Sequence, residues 1–80
     1  MTTRHRLTQH RATFLDRSEL RVVWIVTSAG HVLDELADDA GDELAAVLAN
    51  RDLVAASPTY WHVTRGDNGA AVLVVDLIVV

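Results

Sequence analysis

Two stretches of this chain are apolar at almost every position, and they limit what it can fold into more than any other feature. Residues 20–28 read LRVVWIVTS and residues 71–79 read AVLVVDLIV. Both are rich in β-branched residues, which fit a pleated, packed surface, and both read as strands. Successive side chains of a strand point to opposite faces. Leu20, Val22, Trp24 and Val26 therefore share one face of the first strand, and Val23 and Ile25 the other. A strand that is apolar on both sides is normally covered on both. The sheet built from these strands needs cover twice, and the chain has helix-forming sequence for it once.

That helix is expected over roughly residues 31–49. Ser28 can cap its start by accepting a hydrogen bond from an orphan backbone N–H. Leu33, Leu36, Ala40, Leu44, Val47 and Leu48 recur at steps of three and four, the spacing of one helical face. Asp34, Glu35, Asp38 and Asp39 occupy the early turns, where the macrodipole favours negative charge. Gly41 costs about 1 kcal/mol relative to alanine, so one helix with a kink is expected. Asn50 is the expected terminator.

Residues 51–58 read as a connection, 59–65 as a strand, and 71–79 as its hairpin partner. Gly66-Asp67-Asn68-Gly69 between them is the strongest turn signal in the chain, since Asn-Gly readily supplies positive φ. A two-residue loop at either Asn68-Gly69 or Asp67-Asn68 sets Trp61, Val63 and Arg65 on one face with Val72, Val74, Asp76 and Ile78. It sets Tyr60, His62 and Thr64 on the other with Leu73, Val75, Leu77 and Val79. The expected core is Val22, Trp24, Val26, Leu36, Leu44, Leu48, Val63, Val72 and Val74. Residues 12–15 read as the end of a further strand that turns at residues 16–19; a short helix capped by Thr8 is the alternative. Residues 1–6 are expected to be loose.

The expected fold is therefore α+β: a small, mostly antiparallel sheet, ββαββ or βαββ, with one acidic amphipathic helix on one face. Its 80 residues make a single domain. A chain of this size buries only about 60% of its unfolded surface. With no cysteine there are no disulfides and no thiolate metal sites. A dense core or a second subunit has to serve instead, and the apolar half of the composition suits the first. The amino-terminal stretch carries arginines and no apolar centre, so it does not read as a signal peptide. The apolar end, interrupted by Asp76, is too short to span a bilayer as a helix. The sequence thus points to a cytoplasmic protein with no membrane association.

Catalytic and metal chemistry find little support. His31 and Glu35 are spaced i, i+4, as metal ligands can be, but a second histidine in the zinc-protease pattern is missing. Ser28, His62 and Asp76 supply the residue types of a nucleophilic triad. The expected hairpin sets His62 and Asp76 on opposite faces, which argues against one. No glycine-rich phosphate loop is present. The expectation is no catalytic residue, no metal, no cofactor and no enzyme. Direct nucleic-acid binding is not expected, because residues 42–50, the segment that would read a groove, are acidic and only the amino-terminal arginines could touch phosphate.

Charge is the one unusual feature. Residues 1–30 carry five arginines against two acids, and residues 31–80 carry two arginines against nine acids. Asp34, Glu35, Asp38, Asp39, Asp42 and Glu43 place six carboxylates within ten residues, with no base among them. Like charges at i, i+4 are mildly destabilising, so stability alone does not account for the pattern. Acids also keep a small apolar protein soluble. The functional reading is a negative ridge that docks on the basic groove of a larger protein, such as a nucleic-acid-binding complex, with carboxylates standing where phosphates would lie. Small phage-encoded inhibitors, anti-CRISPR proteins among them, are chains of similar size and charge; the analogy extends to no residue motif. Tyr60 and Trp61 are second candidates for contact, as neighbours on a strand with opposite facings. The alternative is a homodimeric structural or regulatory module joined through its apolar sheet face, and the third is a minor enzyme or metal protein.

Overall fold

A computed structural model describes residues 7–27, 33–66 and 69–80, with the side chain of Gln9 left aside. The elements run β1 (Leu7–Phe14), β2 (Glu19–Val26), α1 (Leu33–Asn50), β3 (Tyr60–Arg65) and β4 (Ala71–Ile78). The order is ββαββ, and residues 12–15 belong to a strand and its turn rather than to a helix. One four-stranded sheet has the spatial order β1-β2-β4-β3, with every neighbouring pair antiparallel. The two apolar strands therefore lie together at the centre, and the more polar β1 and β3 take the edges.

Local chemistry explains the turns. Asp16 Oδ1 accepts from the backbone N–H groups of Ser18 (2.9 Å) and Glu19 (3.2 Å), the Asx-turn for which aspartate is favoured. β1 then pairs with β2, with a bulge between Thr8 and Arg11. Bulges and charged side chains on an edge strand hinder pairing with another chain.

α1 is continuous through Gly41. Its last residue is Asn50, the expected terminator, and a left-handed residue two positions on closes the end. Asp52 holds φ 54°, Leu53 N–H donates to Leu48 C=O at 2.9 Å, and Asp52 N–H donates to Ala49 C=O at 3.2 Å. This is the Schellman ending, with aspartate in the left-handed position that glycine usually fills. A short polar side chain tolerates that conformation better than a bulky one. Leu48 and Leu53, brought together by the motif, pack on the core.

The β3–β4 hairpin departs from the expected register. The observed pairs are Tyr60↔Asp76, Trp61↔Val75, His62↔Val74 and Val63↔Leu73. Gly66 N–H donates to Ala70 C=O at 2.8 Å, and Gly69 N–H donates back to Gly66 C=O at 3.0 Å. An odd loop, residues 67–69, therefore joins the strands in place of a two-residue one, with Gly69 at φ 85°. Three-residue hairpin loops place their last residue in this left-handed region. Because the side-chain period is two, the odd loop exchanges every facing. Trp61 and Val63 share a face with Leu73, Val75 and Leu77; Tyr60, His62 and Thr64 share the other with Val72, Val74 and Asp76.

The core lies between α1 and one sheet face. Leu20, Val22, Trp24, Leu36, Leu73 and Val75 are its largest fully buried side chains. Trp61 stacks on Trp24 with ring centroids 5.8 Å apart, and its Nε1 donates to Thr59 Oγ1 at 3.0 Å. Trp24 Nε1 is buried with no hydrogen-bond partner among the described residues, an arrangement that costs stability. Of the expected core, Val22, Trp24, Val26, Leu36, Leu44 and Val74 are buried, Leu48 and Val72 are half-buried, and Val63 is exposed. Val63 fails because it sits on an edge strand near the hairpin end. Val74 is buried on the face away from the helix.

The end of β4 is held from both sides. Val79 N–H donates to Ser18 C=O at 2.7 Å, while Val54 and Val80 exchange backbone hydrogen bonds at 2.9–3.0 Å. Ala55 bridges to Val79, and Ile78 N–H donates to Ser57 Oγ at 2.9 Å. Residues 54–56 thus lengthen the sheet along the β3 side of β4. Residues 1–6, expected to be loose, lie outside the described residues.

Candidate functional site

The molecule presents two surfaces of opposite character: the outer side of α1 and the face of the sheet that α1 leaves open. The helix owes its outer side to the geometry of its stripe. Leu36, Ala40, Leu44 and Val47 are buried against the sheet. At 3.6 residues per turn, Asp38 and Asp42 project on the side opposite that stripe. Asp34, Glu35, Asp38, Asp42 and Glu43 are exposed, and Asp39 is half-buried. Asp39 and Glu43 follow one flank. Glu43 Oε1 comes within 3.8 Å of His10 Nδ1 on β1, which orients this flank toward the amino-terminal edge of the sheet. No arginine or lysine occurs within α1.

The open face is ordered by strand register. Beyond a Glu19–Ile78 pair at one end of β2 and β4, its first full row runs Thr13, Arg21, Asp76, Tyr60 across β1, β2, β4 and β3. Arg11, Val23, Val74 and His62 form the second, and Thr8, Ile25, Val72 and Thr64 the third. Val23, Val74, Ile25 and Val72 make an apolar quartet at the centre. Above it Arg21 is paired two-pronged with Asp76, Nε to Oδ1 at 2.8 Å and Nη2 to Oδ2 at 3.1 Å. The hydrogen bonding to the Asp76 carboxylate, which accepts from Arg21, and then the Asp76 charge raise the Arg21 guanidinium above its ordinary pKa. Tyr60 is 66% exposed at one side of the face and lies 5.3 Å from the His62 ring, centroid to centroid. On the other side a shallow hollow of about 510 Å³ is lined by His10, Arg11, Val23 and Ile25.

The structure therefore separates the two aromatic contact candidates. Tyr60 stands free on the open face, whereas Trp61 is half-buried against Trp24. His62 and Asp76 lie on the same face, correcting the expectation that they point to opposite sides; the odd hairpin loop is the cause. Asp76 is held by Arg21, and Ser28, the third residue type a triad would need, lies outside the described residues, as does His31. Among the described residues no group of three or more metal-ligating side chains is gathered. No described helix is long and apolar enough to cross a membrane.

The Arg21–Asp76 pair was not anticipated. A signal existed: each is the charged member of an otherwise apolar strand, and opposite charges on neighbouring strands tend to pair. Using it required knowing that β2 and β4 are neighbours.

No protein-family model, curated protein or solved structure matches the chain.

Proposed function

We propose that this protein is a non-enzymatic binding module that docks the outer side of α1 onto a basic groove of a larger protein. The observation that carries this reading is the exposure of five carboxylates along one side of a single helix that contains no base. The sheet fixes the helix from behind through Leu36, Ala40, Leu44 and Val47, so the ridge is rigid before it meets a partner. Preorganisation lowers the entropic cost of association. A groove that normally holds nucleic-acid phosphates fits such a ridge, since it is lined by cations at close spacing. An inhibitor that occupies a nucleic-acid-binding complex in this way is the form of the function we favour.

The test starts from affinity capture at low salt, followed by binding measurements on the captured partner. Binding should weaken steeply as salt rises, because exposed charges are screened over about 8 Å at physiological ionic strength. Nucleic acid should compete for the same groove. Changing Asp38, Asp39 and Asp42 together to asparagine should reduce affinity at least tenfold while far-UV circular dichroism stays unchanged. A partner held equally by that variant but lost on Tyr60→Ala would move the interface to the sheet and reject the ridge.

A further inference from the structure

We propose that the open face of the sheet is the interface of a homodimer, in which two copies pack sheet to sheet about a two-fold axis that runs along the strands between β2 and β4. The proposal rests on the arrangement of charge and shape across that axis, independently of what α1 binds.

A rotation about this axis exchanges β2 with β4 and keeps each row opposite its own counterpart. Val23 then lies over Val74 of the second copy, and Ile25 over Val72. Arg21 lies over Asp76 of the second copy, and Asp76 over its Arg21. The two intramolecular pairs join into a four-charge network of alternating sign at the border of a purely apolar centre. Like charges directly opposite would cost energy, and this symmetry avoids them. A two-fold axis perpendicular to the strands does not: run through the Arg21–Asp76 row it sets Arg21 over Arg21 and Asp76 over Asp76, and run through the Val23–Val74 row it sets those charges over Ile25 and Val72. An unrelated partner would need its own anion and cation in the reverse order; a second copy has them by construction.

Shape agrees with charge. Tyr60 stands out from the β3 side of the face, and the shallow hollow beside Arg11, Val23 and Ile25 lies on the β1 side. The same rotation lays Tyr60 over Thr13 on the β1 edge of the other copy, one row from that hollow, within the roughly 30° stagger at which aligned sheets pack. Four strands about 4.8 Å apart and about eight residues long give a footprint on the order of 500 Å² per copy. The pair then reaches the roughly 1,000 Å² that a specific interface needs. Helix-to-helix dimers are disfavoured by the acids on α1, so the sheet is the side on which copies can meet.

Sedimentation equilibrium of the full chain tests this from micromolar to near-millimolar concentration. The mass should rise from 8.8 kDa to twice that value. Arg21→Asp and Asp76→Arg should each stay monomeric alone, since each puts like charges across the axis. Mixed in equal amounts they should recover the dimer, because every cation again faces an anion. Should either charge variant lose its circular dichroism spectrum, Ile25→Thr with Val72→Thr replaces it; these changes, isosteric at Val72 and one carbon smaller at Ile25, put hydroxyls into the apolar centre and should weaken association at least tenfold. The Asp38, Asp39 and Asp42 to asparagine variant should dimerise as the native chain does, so failure of the ridge and failure of the dimer read out separately. A native chain monomeric throughout would overturn the proposal and leave the face to residues 1–6 or to a different protein. A dimer indifferent to these variants would overturn it too, pointing to pairing through the edge strands.

Discussion

The two faces of the sheet are built from the same strands, with valine and isoleucine on both, yet they end in different states. Beneath α1, Val22 and Val75 are fully buried. One residue along on each strand, Val23 is half-buried and Val74 is 5% exposed. Val74 loses its water without a covering layer among the described residues, where Val23 and His62 flank it on the neighbouring strands. Val72, at the end of the same row of alternate residues, is only half-buried, and Ile78 is 40% exposed. Lateral packing within a central strand thus removes much of the water that a helix would otherwise remove, and it fails toward the ends. The open face is neither a core nor a solvated surface, and its apolar centre can be covered at low cost.

The sharpest way to break this comparison is to remove the centre of the closed face. Trp24→Ala deletes a fully buried ring and the stack on Trp61, and should cost about 3–5 kcal/mol in chemical denaturation. For a domain whose whole stability is on the order of 5–15 kcal/mol this approaches unfolding. A loss under about 1 kcal/mol would mean that the faces are not distinct.

A matched pair on β2 sharpens it further. Val22→Thr places a hydroxyl in the sealed core and should cost about 1–3 kcal/mol. Val23→Thr, on the adjacent residue, makes the same change where solvent can reach, and should stay within about 0.5 kcal/mol for the monomer. Equal costs would show that the open face is sealed as well. The measurement belongs at the lowest workable concentration, since association stabilises the folded chain by mass action.

The smallest effect concerns the cover itself. A Cβ built on Gly41 meets nothing within 4 Å, and the residue sits inside a regular helix. Gly41→Ala should therefore stabilise the protein by about 0.5–1 kcal/mol, read as a rise in thermal midpoint. A loss would place a close neighbour over Gly41 and a tighter helix–sheet contact than described.

Much of this architecture was legible before any coordinates. The continuous β-branched, apolar runs identified β2 and β4, the three- and four-residue spacing identified α1, and Asp16 and the Gly66–Gly69 segment marked the two turns. These are local signals, carried by residues close in sequence. What failed had a local cause too fine for pattern alone. A loop of three residues rather than two reversed every facing of β3 and β4, so Trp61 went to the core and Tyr60 to the open face. α1 stops at Asn50 as expected, but the left-handed residue that closes its end is Asp52, one step past the cap, and sequence spacing does not say which polar residue adopts that conformation.

The amino-acid sequence by itself determined that this chain makes an antiparallel sheet with one helix, and that this helix turns its carboxylates outward, since periodicity and charge are properties of neighbours along the chain. Only the tertiary structure decided that β2 lies against β4. That one contact, between residues 55 positions apart, joins Arg21 to Asp76 and gathers Val23, Ile25, Val72 and Val74 into a single patch. Strand order follows from which sheet best shares one helix, a balance over the whole molecule that no segment carries alone.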